Sequence, residues 1–170
     1  MAKNVRFGIN NEIKPGADLP GMQFKIPSNY NQISYYGRRP HESYIDREKS
    51  AAFGIYNFGI DELNTPYIKP QEHGNRMGVR WFRLIDRNGK GLQIEGKDLN
   101  ASAWPYSQED LATITHNVDL PKRDFITVNV DYGQTGLGGD DTWTIAARPH
   151  EEHRLPAKTY SYSFTVLPLR

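Results

Sequence analysis

The feature that most constrains the fold is a two-residue alternation of side-chain types near the end of the sequence. Residues 124–133 divide into two sets, with Phe125, Thr127, Asn129 and Asp131 on one face and Ile126, Val128, Val130 and Tyr132 on the other. Residues 159–169 repeat the pattern, with Tyr160, Tyr162, Phe164 and Val166 on one face. Because successive side chains of a strand point to opposite faces, this period predicts two β-strands.

Other short runs of strand-forming residues end at glycine, proline or polar turn residues. They cover residues 22–26, 31–37, 50–60, 77–96 and 99–106. The 77–96 run predicts a hairpin, because Asn88 and Gly89 suit the positive φ angles of a type I′ turn. The sequence is also rich in aromatic residues (12%), with 15 glycines and 11 prolines, as expected for strands joined by tight turns.

One segment has the pattern of a helix. Residues 106–117 contain Ser107 and, three residues later, Asp110, a variant of the capping box that begins many helices. The sequence therefore predicts an all-β fold, an antiparallel β-sandwich with one short helix. Residues 1–21 are the least periodic and are predicted to be irregular or to form an edge segment, whereas residues 22–170 are predicted to belong to the β-sandwich.

Charge and composition exclude several classes of function. The chain has 21 basic and 20 acidic residues, so charge gives no reason to expect a nucleic acid or a membrane as partner. Cysteine is absent, which excludes disulfides and thiolate metal sites. No apolar run is long enough to span a bilayer and no signal-peptide pattern is present, so the compartment stays open between cytoplasm and periplasm.

The segment GLGGDDTW, residues 136–143, combines features of several ligand sites. A phosphate-binding loop does not fit, because Asp140 and Asp141 follow the glycines and would repel phosphate. A calcium loop fits poorly, because adjacent acids of an extended chain point to opposite faces. A surface loop in which an aspartate binds backbone amides is favoured. Trp143 is either a packing residue or a stacking platform, and the residues alone leave both interpretations open.

Two further segments pair a histidine with an acid. Residues 36–47 contain His41 and Glu42, and residues 67–78 contain Glu72 and His73. Each pair could act in acid–base chemistry, but adjacent residues seldom reach one substrate atom, so structured loops are favoured. No fixed-spacing ligand motif supports a metal site, and no nucleophile motif is present. The residues alone indicate no catalytic machinery.

Four segments occur in an order that resembles one family. They are YYGRRPHESYIDR, TPYIKPQEHGNRMGVRW, VDYGQTGLGGDDTW and YSYSFTVLPL. Together they resemble the C-terminal domain of family 2 β-galactosidases, which is also the small subunit of two-chain members. The resemblance runs from about Met22 to the end. Its most specific elements are Gly-Gly-Asp-Asp-x-Trp and the set Pro70, Glu72, Gly74 and Arg76.

The resemblance implies a supersandwich related to galactose mutarotase, of which this chain matches the C-terminal part. Two positions depart from the family pattern, with Arg39 in place of a glycine and Ser43 in place of an asparagine. In the family, catalytic carboxylates lie on a separate (β/α)8 barrel, so no catalytic residue is assigned to this chain. Mg and Na ions of the family are held mainly elsewhere, so no metal or cofactor is assigned either.

The resemblance assigns substrate binding to Trp143, which matches a tryptophan that stacks on the sugar. Gly138, Gly139, Asp140 and Asp141 are assigned to support of its loop. The expected partners are the barrel of a parent β-galactosidase and a galactoside, with a homo-oligomer also open. Two alternatives remain: a free-standing carbohydrate-binding module, and a mutarotase-like epimerase that uses His41 or His73 with a glutamate.

Overall fold

The structure is a computed structural model that describes residues 4–12, 21–39, 41–141, 144 and 147–170. The strands are β1 Val5–Glu12, β2 Gly21–Pro27, β3 Gln32–Arg39, β4 Ala52–Gly59, β5 Arg76–Ile85, β6 Gly91–Trp104, β7 Phe125–Asp131 and β8 Thr159–Leu169. The helix α1 is Gln108–Thr113, and short 3-10 helices lie at Ile60–Leu63, Asn117–Asp119 and Glu151–His153.

All strand pairs are antiparallel, and they join into one sheet that forks at β6. The main order is β1-β8-β6-β5-β3-β4. Residues Gly91–Gly96 of β6 pair with β8, whereas Asn100–Trp104 pair with β7, which in turn pairs with β2. We call Lys97–Leu99, where β6 changes partner, the sheet fork.

The core lies on one face of the sheet, between the two branches. Ile126, Val128 and Val130 of β7 are fully buried there, and Phe164 of β8 joins them. The Tyr162 hydroxyl donates to the Val130 carbonyl at 2.6 Å, which ties β8 to β7 although no ladder joins these strands. The predicted all-β antiparallel sandwich is therefore confirmed.

The two side-chain sets of β7 have different surroundings. Tyr132, grouped in the sequence with Ile126, Val128 and Val130, lies beyond the end of β7 and is 43% exposed, so it does not share their buried environment. Thr127, Asn129 and Asp131 are also buried, and each side chain is hydrogen-bonded, to the Tyr106 carbonyl, to Ser102 and to Gln134 respectively. A second apolar cluster on this side consists of Trp104, Tyr106 and Leu111, packed with Leu120.

The helix is confirmed but is shorter than the predicted 106–117. The Ser107 hydroxyl accepts from the Asp110 amide at 3.0 Å, and the Asp110 carboxylate accepts from the Ser107 amide at 2.8 Å. Ile114 already has extended backbone angles and ends α1. No helix in the described ranges is both long and apolar enough to cross a membrane.

The β5–β6 hairpin is confirmed, but its predicted type I′ turn is wrong. Gly89 has a φ of +78°, whereas Asn88 is not among the residues with positive φ. The Asp86 carbonyl accepts from the Gly89 amide at 3.0 Å, and its carboxylate accepts from the amides of Asn88 and Lys90. The connection between the two strands thus spans residues 86–90 and is longer than a two-residue turn. Gly89 is its residue in the left-handed conformation.

Strand pairing in the sheet also defines the structure of two other segments discussed from the sequence. The predicted separate strand at 99–106 is wrong, because β6 continues without interruption from Gly91 to Trp104. Within the first 21 residues, Val5–Glu12 form the edge strand β1, which pairs with β8 along its whole length. Gly21 begins β2, and residues 13–20 lie outside the described ranges.

Candidate functional site

The three loop segments singled out in the sequence meet in the folded chain. We call residues 36–47 the first motif, 67–78 the second and 131–141 the third. The first and second motifs join at Ser43: its amide donates to the Asn75 carbonyl, and the Asn75 side chain donates to the Ser43 carbonyl, both at 2.8 Å. The Ser43 hydroxyl also accepts from the Met77 amide at 2.9 Å. Ser43, which replaces the family's asparagine, is thus a buried junction.

Arg39, the other departure from the family pattern, lies at the end of β3. Its guanidinium lies 4.5 Å from the ring centroid of Phe58 and 5.6 Å from that of Tyr56. The larger side chain therefore covers aromatic rings at the border of the core, where cation–π attraction stabilises it.

Glu42 connects the first motif to the second, and its carboxylate is nearly inaccessible, with 4% exposed. It accepts from the Gly74 amide at 2.8 Å, from Arg47 Nη2 at 2.7 Å and from the Tyr67 hydroxyl. His41 is exposed, and its Nε2 contacts the Ser50 hydroxyl at 2.8 Å. Glu42 is therefore an anchor of the loop, and the two neighbours form no acid–base pair in the described residues.

His73 and Glu72 also point to different partners. His73 is 3% exposed, and its ring stacks on Trp104 with centroids 5.7 Å apart. Its Nδ1 is 2.8 Å from the Gln71 carbonyl, so Nδ1 carries the proton, because a carbonyl can only accept. Burial lowers the pKa of His73, which keeps the ring neutral. Glu72 instead accepts from Gln134 Nε2 at 2.9 Å.

Asp46 of the first motif holds the third motif. Its Oδ2 accepts from the Leu137 amide at 2.9 Å and from the Gly138 amide at 2.6 Å. A Cβ at Gly136 would lie 2.8 Å from the Asp46 carboxyl carbon, and one at Gly138 would lie 3.0 Å from Oδ2. These glycines therefore permit the close approach of the carboxylate. Asp46 carries no local pattern that marks this role, because its partners lie 91 and 92 residues away.

The predicted loop-supporting acids bind within their own loop. Asp141 accepts from the Thr144 amide at 2.9 Å and from the Thr144 hydroxyl at 2.5 Å. Asp140 Oδ1 is 2.8 Å from His150 Nε2, and Gly139 is exposed. Trp143, predicted to stack on a sugar, lies outside the described residues, so its role stays a prediction.

The base of the third motif contains a buried carboxyl group. Asp131 is 3% exposed, and Gln134 Nε2 donates to its Oδ2 at 3.1 Å while also donating to Glu72. Burial raises the pKa of Asp131 to about 7. Asn100 completes the network, since it accepts from Asn75 at 2.7 Å and donates to the Tyr132 carbonyl at 3.3 Å.

The chemistry of the assembled motifs is that of a rigid support. The carboxylates of Glu42, Asp46 and Asp131 are bound by amide groups, and no group of three potential metal ligands occurs among the described histidine, aspartate and glutamate side chains. Buried hydrogen-bond networks of this kind fix a loop in one conformation. The exposed part of the third motif, Leu137–Asp140, is the portion available to a ligand or a neighbouring domain.

Comparison with known proteins identifies the family that shares these motifs. A family model described as "Beta galactosidase small chain" matches residues 3–166. A β-galactosidase of Priestia megaterium is 36% identical over 168 residues, which cover 95% of this chain and 16% of that protein. One from Lactobacillus delbrueckii subsp. bulgaricus is 38% identical over 164 residues, covering 91% and 16%. One from Vibrio cholerae is 35% identical, covering 96% and 16%.

The matched relatives are much longer proteins. The chain spans about one-sixth of the length of these three relatives. The family match begins at residue 3 and so includes β1, which the sequence patterns alone set apart from the domain.

Proposed function

The chain belongs to the family of β-galactosidase small chains, and we propose on that premise that it completes the sugar site of a larger β-galactosidase without contributing a catalytic residue. The hydrolysis of terminal β-galactosides is then performed by carboxylates on a (β/α)8 barrel in the rest of the enzyme. Any Mg or Na ions that the enzyme uses are held by that part as well.

The observation that carries this proposal is the clamp between Asp46 and the third motif. Two backbone amides, Leu137 and Gly138, are held by one carboxylate that comes from a different loop. This clamp fixes the start of the loop that leads to Trp143. A preorganised loop loses less conformational entropy when a ligand binds, so its side chains contribute more to affinity.

Trp143 is the residue proposed to contact the sugar. The apolar C–H face of a galactosyl ring can pack on an indole, while the barrel supplies the polar groups and the reacting carboxylates. A single aromatic platform is only half of a sugar site, so the proposal requires the larger enzyme as partner.

Kinetics of the whole enzyme test this role. Trp143→Ala should lower kcat/KM for a galactoside by about tenfold or more, and Trp143→Tyr should retain more activity because it keeps an aromatic face. Equal kinetics for wild type and Trp143→Ala would remove the sugar-stacking role.

The geometry gives no support to an epimerase. His73 is buried and stacked on Trp104, and His41 binds Ser50, so neither histidine is hydrogen-bonded to a glutamate side chain among the described residues. Polarimetry of α-galactose should therefore show no acceleration by the chain.

A further inference from the structure

A cavity of about 590 Å³ opens at the sheet fork. It lies where β6 leaves β8 and begins to pair with β7, and two shifts of the β5–β6 register occur at the same place. Gly78 has a φ of +66° and Asp98 a φ of +59°, and both line the cavity. Asp98 is the one non-glycine residue with positive φ in the described ranges. Such irregularities redirect side chains and are frequent beside binding sites.

Tyr132 gives this cavity an exposed aromatic face. Its side chain is 43% exposed, although it lines a concave surface. The ring packs against two further tyrosines, with centroids 5.0 Å from Tyr160 and 6.4 Å from Tyr162. The Asn100 side chain donates a hydrogen bond to the Tyr132 carbonyl, which fixes the backbone at Tyr132. A part-exposed aromatic ring that is held by its neighbours can stack on a ligand at little entropic cost.

The charged groups of the cavity cancel one another. Arg38 lies 3.7 Å from Glu48, and Asp98 lies 3.9 Å from Arg80, with Lys97 exposed beside it at the fork. Both anions of the lining are thus paired with an arginine, so no cluster of charge of one sign favours a phosphate or a metal ion. Ser161, Ser163 and Gln134 add neutral polar groups, and Met77, Leu99 and Leu155 add apolar surface.

We infer that the cavity at the sheet fork binds a saccharide, with the Tyr132 ring as the stacking face and Asp98 and Lys97 as hydrogen-bond partners of its hydroxyls. A neutral molecule that carries both donors and acceptors on a body with apolar C–H faces matches this lining, and the volume falls within the usual range of ligand sites. The cavity is open to solvent, so the Kd expected for a saccharide is millimolar. The inference goes beyond the proposed function because it does not involve Trp143.

The test is a titration of the 170-residue chain with galactose and with lactose, followed by amide NMR. The amides of Gly78, Asp98 and Gly133 should shift together and saturate in the millimolar range. Tyr132→Ala should weaken binding by at least about tenfold. Val118→Ala is the control, because Val118 is 92% exposed and does not line the cavity, and it should leave the affinity unchanged.

Two further variants separate the possible causes. Asp98→Gly removes the carboxylate while allowing the positive φ, and it should also weaken binding. Trp143→Ala should leave these shifts intact, which distinguishes the cavity from the loop of the third motif. Absence of shifts at high sugar concentration overturns the inference. Shifts confined to residues 136–144 that vanish in Trp143→Ala also overturn it, and so does equal weakening by Val118→Ala.

Discussion

Removal of the Asp46 carboxylate tests how the third motif is held. Asp46→Ala deletes two hydrogen bonds from the amides of Leu137 and Gly138, at 2.9 and 2.6 Å. Hydrogen bonds to a charged group contribute about 1.5–3 kcal/mol each where water is excluded. Leu137 and Gly138 are both exposed, so water replaces the lost acceptor and the expected loss in unfolding free energy is only about 1–2 kcal/mol.

The larger effect of this substitution is local. Because the carboxylate is the contact between the first and third motifs at this point, the two amides should exchange hydrogen about tenfold faster or more in the variant. Urea unfolding gives the change in global stability, and amide exchange followed by NMR gives the change in the loop. Asp119→Ala is the control, since Asp119 is an exposed aspartate in a distant 3-10 helix.

The expected result is faster exchange at Leu137 and Gly138 in Asp46→Ala, with the control within about 0.5 kcal/mol of wild type. If both amides keep their protection in Asp46→Ala, the carboxylate does not hold the loop and the reasoning is refuted. A loss of protection spread over all strands would likewise contradict it, since that result describes global destabilisation.

Three further predictions follow from buried or capping groups. Glu42→Gln should lower the unfolding free energy, measured by urea titration, by about 2–4 kcal/mol, because it leaves the Gly74 amide and Arg47 with a poorer acceptor. A loss under about 0.5 kcal/mol contradicts the anchoring role of Glu42. The folded-state pKa of Asp131, about 7, lies above its ordinary value, so folding takes up a proton and stability should fall as pH rises from about 4 to about 7. Asp131→Asn should flatten that fall, and an unchanged pH profile of urea unfolding would show that Asp131 is not its source. Ser107→Ala should cost about 1 kcal/mol through loss of the α1 cap, whereas Thr115→Ala, just beyond the helix, should cost little.

Local interactions of the fold could be predicted from the sequence. Ser107 and Asp110 lie three residues apart, and their reciprocal hydrogen bonds need nothing beyond one helical turn. The alternation in β7 and β8 likewise predicted the two strands, since side-chain direction in a strand follows from the backbone alone.

Non-local interactions account for the errors. The Asn88-Gly89 pair indicated a two-residue turn, but the strand register set a longer connection that Asp86 stabilises. β6 continues past Gly96 because β7 replaces β8 as its pairing partner. The residues of β6 alone do not reveal a pairing partner that is distant in the sequence. Asp46 was missed for the same reason, whereas the adjacent pairs were correctly favoured as loop residues.

The most direct test of the account is reconstitution of β-galactosidase activity from two parts. The parent enzyme that lacks this segment should hydrolyse a galactoside far more slowly than the whole enzyme, the 170-residue chain should show no turnover, and mixing the two should restore activity. The Asp46→Ala chain should restore less. Two results would contradict the proposal that this domain completes the sugar site while the barrel performs catalysis. They are hydrolysis by the chain alone and full activity of the enzyme without the chain.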